Sequence, residues 1–246
     1  MKKYGLIGYP LTHSFSKKYF SEKFEREGKR DCQYELYEIP EINQLPGLIA
    51  SEKDLVGLNV TIPYKEKVIP FLDRLDPSCR AIGAVNCIKI REGQLVGFNT
   101  DYFGFKESLE KWLGKERPKA LVLGTGGASK AVAEVLKDLG MDFLKVSRNA
   151  GIGDSVITYE QLYADKRILK DHLLIINTTP RGTYPNTGSM PDIPMDGLGN
   201  GHRVYDLVYN PEETLFMRAA AERGAATKNG MEMLHLQAEA AWNIWN

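Results

Sequence analysis

Residues 120–139 constrain this chain more than any other stretch. Four apolar residues, Ala120 to Leu123, lead into Gly124-Thr125-Gly126-Gly127-Ala128. An amphipathic run follows, in which Ala131, Val132, Val135, Leu136 and Leu139 form one apolar stripe at helical spacing. Gly140 then stands where a helix C-cap is expected. A strand, a glycine-rich turn and a helix in that order turn backbone amides and a helix dipole toward an anion, and glycines let the backbone approach a pyrophosphate. The third glycine of the usual dinucleotide spacing is replaced by Ser129. Tight strand-to-helix turns also use glycine for steric reasons alone, so the loop by itself is weak. Further strands expected at 143–147, 173–177 and 204–208 supply the context of a Rossmann-type dinucleotide-binding unit.

The next strand bears on which dinucleotide. About 20 residues beyond the glycines, an NAD enzyme carries an acidic residue for the ribose hydroxyls. Here the chain reads Val146-Ser147-Arg148-Asn149. A carboxylate repels a 2′-phosphate, whereas a guanidinium binds one through charge-assisted hydrogen bonds. The plain alternative is that Arg148 is a solvated residue at a strand end. With the glycine loop upstream, the reading favours NADP.

The N-terminal part has a separate α/β pattern. Strands are expected at 4–8, 33–39 and 58–62, with a helix opening at Ser16 and another over 65–72. In the third strand, Leu58, Val60 and Ile62 share one face and Asn59 and Thr61 the other. A hairpin is expected from 84–90 to 94–98, turning at Glu92-Gly93. Polar groups gather at element ends: Asn59, Thr61 and Lys65 near one strand terminus, then Asn86 and Asp101. Ser14 and Ser16 place hydroxyls at a helix start, where free amides favour a carboxylate. Each has a plain reading as well. Ser16 suits a helix cap, Asn86 a turn, Lys65 a solvated helix face, and His13 a structural place without a metal partner.

Charge and composition exclude other classes. Lys plus Arg and Asp plus Glu number 32 each, so no basic excess supports a nucleic-acid or anionic-membrane partner. Cys32, Cys79 and Cys87 show no metal-ligand spacing and read as reduced thiols, with no metal site expected. No apolar stretch approaches the ~20 residues of a membrane helix, and the start lacks a signal-peptide core. A soluble cytoplasmic protein is expected.

Taken together, ordered motifs across nearly the whole chain resemble the shikimate dehydrogenase family. They are Gly8-Tyr9-Pro10-Leu11-Thr12-His13-Ser14-Phe15-Ser16, Asn59-Val60-Thr61-Ile62-Pro63-Tyr64-Lys65, Gly83-Ala84-Val85-Asn86, Asn99-Thr100-Asp101 and the glycine loop. Asn177-Thr178-Thr179-Pro180, Tyr205-Asp206-Leu207-Val208-Tyr209-Asn210-Pro211 and the run from Gly230 to Gln237 and Ala238 complete the set. The resemblance implies a two-domain α/β fold. Its N-terminal substrate domain, with a mostly parallel sheet, covers 1–101 plus 230–246, the last helix packing back on it. A Rossmann-type NADP domain covers 102–229, with the active site in the cleft between the two.

By the same resemblance, Ser14 and Ser16 hold a substrate carboxylate, and Asn59, Thr61, Asn86, Asp101, Tyr209 and Gln237 fix ring hydroxyls. Lys65 matches the family's catalytic lysine, working beside Asp101. Gly124, Thr125, Gly126, Gly127, Ala128, Ser147, Arg148, Leu207 and Gly230 fall where the family holds NADP. The reaction implied is reversible NADPH-dependent reduction of 3-dehydroshikimate to shikimate, a step of aromatic amino acid biosynthesis. Its only partner would be the small-molecule substrate, on a monomer or homodimer. Two departures stand out. Lys17-Lys18-Tyr19-Phe20 replaces the family's proline and His-Asn after the second serine, and residues 149–153 lack its second basic residue for the 2′-phosphate. Alternatives are a quinate/shikimate dehydrogenase that uses NAD, a methylenetetrahydrofolate-type dehydrogenase, and a non-catalytic shikimate-binding sensor.

Overall fold

The computed structural model describes residues 1–11, 14–149 and 155–246. The chain divides into two units, Met1–Thr100 with Gln237–Asn246, and Asp101–Leu236. The first unit runs β1 (Lys2–Gly8), α1 (Phe15–Arg26), β2 (Cys32–Glu38), α2 (Leu45–Ser51), β3 (Leu55–Val60), β4 (Arg74–Leu75), α3 (Pro77–Ile82), β5 (Cys87–Arg91) and β6 (Gln94–Phe98). Its sheet has the order β2-β1-β3-β5-β6-β4. β1 is parallel to β2 and β3, and β4 to β6, while β5 is antiparallel to both neighbours. Parallel pairs therefore predominate, and the one hairpin turns at Glu92 and Gly93, both at positive φ.

Next come α4 (Thr100–Leu113), β7 (Ala120–Leu123), α5 (Gly127–Asp138), β8 (Phe143–Ser147), β9 (Val156–Thr158), α6 (Tyr159–Ala164), α7 (Arg167–Asp171) and β10 (Leu174–Asn177). β11 (Arg203–Asp206), α8 (Leu215–Ala221), β12 (Ala226–Lys228) and α9 (Met231–Trp245) complete the chain. The second sheet is parallel throughout, in the order β12-β11-β10-β7-β8-β9. The first strand of the unit, β7, thus lies at its centre, and the winding reverses between β7 and β10. That is the doubly wound order, and ligands bind such sheets at the carboxyl ends of the strands beside the reversal.

Alternation along β1 covers both faces of the first sheet. Ile7 packs with Leu45, Leu58, Val60, Val68 and Ile88 on one side. Tyr4 and Leu6 face Phe20, Phe24 and Tyr34 on the other, and Ala238, Ala241, Trp242 and Trp245 of α9 close that layer. Trp245 Nε1 donates to the Ile88 carbonyl at 3.0 Å. Lys23 Nζ, almost buried, lies 2.9 Å from both carboxylate oxygens of Glu239, which also accepts from the Tyr19 hydroxyl. The end of the last helix is thereby part of the first unit.

Three local expectations change. The helix over 65–72 does not form: only Ile69–Phe71 makes a single 3-10 turn. The Lys65 carbonyl accepts from Val85 N at 2.7 Å, the Ile69 amide turns to Glu66, and Pro70 has no N–H to offer. β3 ends at Val60, so Ile62 is 74 % exposed and leaves the core row of Leu58 and Val60. Thr61 lies just past the strand, with its amide on the Ile7 carbonyl. Ser14, not Ser16, caps α1, its hydroxyl accepting from Lys17 N at 3.2 Å. His13 with Thr12, and residues 150–153 after Arg148, lie outside the described residues.

Candidate functional site

In the first unit the sheet joins residues far apart in sequence through a row of buried polar side chains. Asn59, Asn86 and Gln237 are buried, as are Tyr34 and Thr100, to which the sequence motifs assign no role. The Tyr34 hydroxyl donates to Asn59 Oδ1 at 2.7 Å, and the Ser16 hydroxyl acts on the same phenol. Burial pushes the Tyr34 phenol well above its ordinary value, opposed by the Ser16 hydrogen bond. Asn59 Nδ2 faces the Asn86 carbonyl at 3.4 Å. The Asn86 side chain is taken up by Thr100: Oδ1 accepts from its amide at 2.6 Å and Nδ2 reaches its hydroxyl at 3.0 Å. That hydroxyl lies 3.4 Å from Gln237 Oε1.

Ser16, Asn59, Asn86 and Gln237 are therefore linked in one place by two intermediaries. Lys65 is half-buried, and its backbone is anchored one residue before Asn86 through the Val85 amide. Thr61 and Ser14 are half-buried at the same strand and helix ends. Buried groups of this kind persist only when hydrogen-bonded, so the fold specifies their orientations. A polyhydroxylated carboxylic acid is the ligand class that such amides, hydroxyls and a lysine match.

In the second unit the glycine loop leaves β7 at the winding reversal. Gly124 has φ +106, and a Cβ there would meet Thr178 Oγ1 at 2.9 Å, so only glycine suits the position. Gly126 occupies the N-cap of α5 without any side-chain cap, and the first turn holds no acidic residue. A Cβ at Gly126 or Gly127 would meet nothing within 4 Å. Uncapped amides, a helix start and open space beside the backbone fit the diphosphate of a dinucleotide.

The neighbouring strand ends complete the loop's surroundings. Ser147 Oγ accepts from Asn149 N at 3.3 Å, and Arg148 is exposed. Burial raises the Tyr159 phenol, while the charges of Arg181 and then Arg148 pull it the other way, so both guanidiniums act on one ring. Arg181 belongs to no motif that the sequence reading marked.

Gly230 lies against the turn after β11, its amide donating to the Val208 carbonyl at 3.1 Å. Asp206, fully buried, accepts from Asn177 Nδ2 at 2.8 Å, Val208 N at 3.1 Å and Thr214 Oγ1 at 2.7 Å. Burial raises its carboxyl despite these three donors. This carboxylate holds the turn that carries Leu207 and Tyr209, and burial also raises the Tyr209 phenol. Gly230 is a steric requirement, since a Cβ would come within 2.1 Å of the Leu207 carbonyl oxygen. Asp101 lies in the first turn of α4, directly after the Thr100 that Asn86 holds. Among the described residues, no group of three or more His, Cys, Asp or Glu is arranged to hold a metal ion, and no helix is long and apolar enough to cross a membrane.

Comparison with known proteins points one way. Residues 6–88 match the family described as the shikimate dehydrogenase substrate binding domain. A shikimate dehydrogenase (NADP(+)) from Carboxydothermus hydrogenoformans is 38% identical over 256 residues, covering 98% of this chain and 90% of the relative. A chorismate mutase/shikimate 5-dehydrogenase fusion protein from Clostridium acetobutylicum superposes with a TM-score of 0.89 at 38% identity, covering 100% of this chain and 91% of that one. The shikimate 5-dehydrogenase of Thermus thermophilus, solved in complex with NADP(H) and shikimate, gives a TM-score of 0.87 at 31% identity, covering 100% and 94%.

Proposed function

This chain belongs to the shikimate dehydrogenase family, and from that membership we propose that it catalyses the reversible NADPH-dependent reduction of 3-dehydroshikimate to shikimate. The observation that carries the reading is the buried polar row of the first unit. Ser16, Asn59, Asn86 and Gln237, drawn from four separate segments, converge where a hydroxylated ring acid needs donors and acceptors. We assign residues 1–101 with 230–246 to the substrate and 102–229 to NADP.

Bound NADPH supplies the hydride. The chain's own task is to hold the ring and manage one proton. Reduction adds a hydride to C3 and leaves its oxygen in need of a proton. Lys65 donates that proton, and Asp101 orients the substrate hydroxyl and the lysine; oxidation of shikimate reverses the transfer. Ser14 and Ser16 take the carboxylate at the start of α1, where the unpaired amides add favourable charge. Asn59, Thr61, Asn86, Tyr209 and Gln237 read the ring hydroxyls. A site of this make-up penalises analogues that leave its buried groups unpaired. With NADP bound, the amides of Gly124 to Ala128 would cradle the diphosphate, Ser147 and Arg148 would take the 2′-phosphate, and Leu207 and Gly230 would line the remainder of the cofactor site. The enzyme acts in the cytoplasm, as a monomer or homodimer.

An absorbance trace at the NADPH wavelength tests the proposal, with shikimate or quinate paired with NADP or NAD. Turnover with shikimate and NADP, exceeding every other pairing, is the expected result. Equal use of quinate and NAD would reassign the enzyme to the broader-specificity class. No turnover with saturable shikimate binding would make the chain a binding protein.

A further inference from the structure

A buried tyrosine links two of the candidate substrate groups and touches neither ring nor cofactor in the roles assigned above. Tyr34 is 2 % exposed, and its ring stacks on Phe20 at a centroid distance of 4.8 Å. Packing alone would be met by phenylalanine, so the hydroxyl needs its own explanation.

The donor direction through that hydroxyl is determined. The Asn86 carbonyl can only accept, and Asn59 Nδ2 is the amide end that faces it. Asn59 therefore presents Oδ1 to Tyr34, which commits its single hydrogen there at 2.7 Å. With that hydrogen committed, the phenol oxygen is left only as an acceptor, the role in which the Ser16 hydroxyl opposes the burial that raises the phenol. Ser14, by contrast, accepts from the Lys17 amide as a helix cap. Rotation of one side chain along this row would disturb the next, because a buried acceptor left unpaired is costly.

We propose that Tyr34 is a positioning residue for substrate, whose hydroxyl locks the Asn59 amide and the Ser16 hydroxyl into one arrangement. The proposal rests on the shikimate reading of the site. Ligand recognition through Asn59 and Ser16 then depends on a group that itself touches no ligand. The chemical step at Lys65 does not.

Tyr34→Phe tests this by removing one oxygen while keeping the ring. The KM for shikimate should rise about tenfold, with kcat and the KM for NADP within about twofold. In an Asn59→Ala background the same substitution should add less than about twofold, because the route runs through Asn59. An unchanged KM for shikimate, or an equal effect in both backgrounds, overturns the proposal, whatever happens to Tm. A second readout needs no turnover. In 15N-labelled protein without ligand, Tyr34→Phe should shift the Asn59 side-chain amide pair, and Ser16→Ala should shift it less. If those resonances stay in place, Tyr34 positions nothing. If they move while the wild type fails to oxidise shikimate, the functional reading falls and the hydrogen-bond lock stands.

Discussion

The two units offer their ligands opposite kinds of surface. On the proposed reading the first would bind with side chains, a row of buried amides and hydroxyls in which Tyr34 bonds Asn59 and Thr100 bonds Asn86. The second would bind with backbone, at a helix start that has no side-chain cap and open space beside Gly126 and Gly127. A side-chain site is specific and fragile, since each group is fixed by the next. A backbone site tolerates any sequence change that leaves its amides bare and adds no negative charge. The comparison teaches that substitutions in the first unit should alter which molecule is recognised, and those in the glycine loop whether an anion is held at all.

Lys65→Ala separates chemistry from both kinds of binding. It should lower kcat by about 10² to 10⁴ with little change in either KM. Full turnover in that variant would remove Lys65 from the proton transfer. Next in size is the double substitution Ser14→Ala with Ser16→Ala. It should raise the KM for shikimate by about tenfold to a hundredfold, the loss expected for hydrogen bonds to a charged group, and leave the KM for NADP alone. An unmoved KM would mean that the carboxylate binds elsewhere.

Gly126→Asp sharpens the contrast from the other side. Aspartate is a good N-cap and meets no atom at that position, so Tm should hold or rise. Its charge beside the diphosphate should nevertheless raise the KM for NADP by about tenfold to thirtyfold, equivalent to at most ~2 kcal/mol, leaving the KM for shikimate unchanged. Parallel loss of stability and cofactor affinity would instead mean that the loop is merely a tight turn.

The smallest effect concerns the helix that returns to the first unit. Burial alone would raise the Glu239 carboxyl, but the Tyr19 hydroxyl and Lys23 ammonium outweigh it and hold it below its ordinary 4.5. A depressed carboxyl stabilises fully above its unfolded value, and that contribution fades as pH falls through the folded value. Glu239→Gln should thus flatten the acid limb of a Tm-against-pH curve below about pH 4.5 and change little at neutrality. An unchanged acid limb would assign the acid sensitivity to other carboxylates.

These regions also differ in how far they could be read from sequence. The β7–loop–α5 stretch was legible because its signals are local: an apolar run, adjacent glycines and a stripe at helical spacing. The turn at Glu92 and Gly93 was legible for the same reason. The segment after Lys65 was not, because its backbone partner is Val85, twenty residues on and delivered by the sheet. Choosing between Ser14 and Ser16 as the cap required the path of the chain into α1, which neighbouring hydroxyls do not specify. Tyr34 carries no mark in sequence either, and Thr100 stands in a quoted motif without a role of its own. An aromatic in a strand and a threonine before an aspartate are common, and only strand pairing turns them into links between Ser16, Asn59, Asn86 and Gln237. Motif resemblance named Ser16, Asn59, Asn86 and Gln237 and gave no role to Tyr34 or Thr100, which join them.

A crystal structure of the protein with shikimate and NADP tests the central claim most directly. The account expects the shikimate carboxylate within hydrogen-bonding distance of Ser14 and Ser16, ring hydroxyls on Asn59, Asn86 and Gln237, and the diphosphate on the bare amides that begin α5. A shikimate molecule seated away from those side chains, or a diphosphate held by side chains while the glycine loop faces solvent, would contradict it.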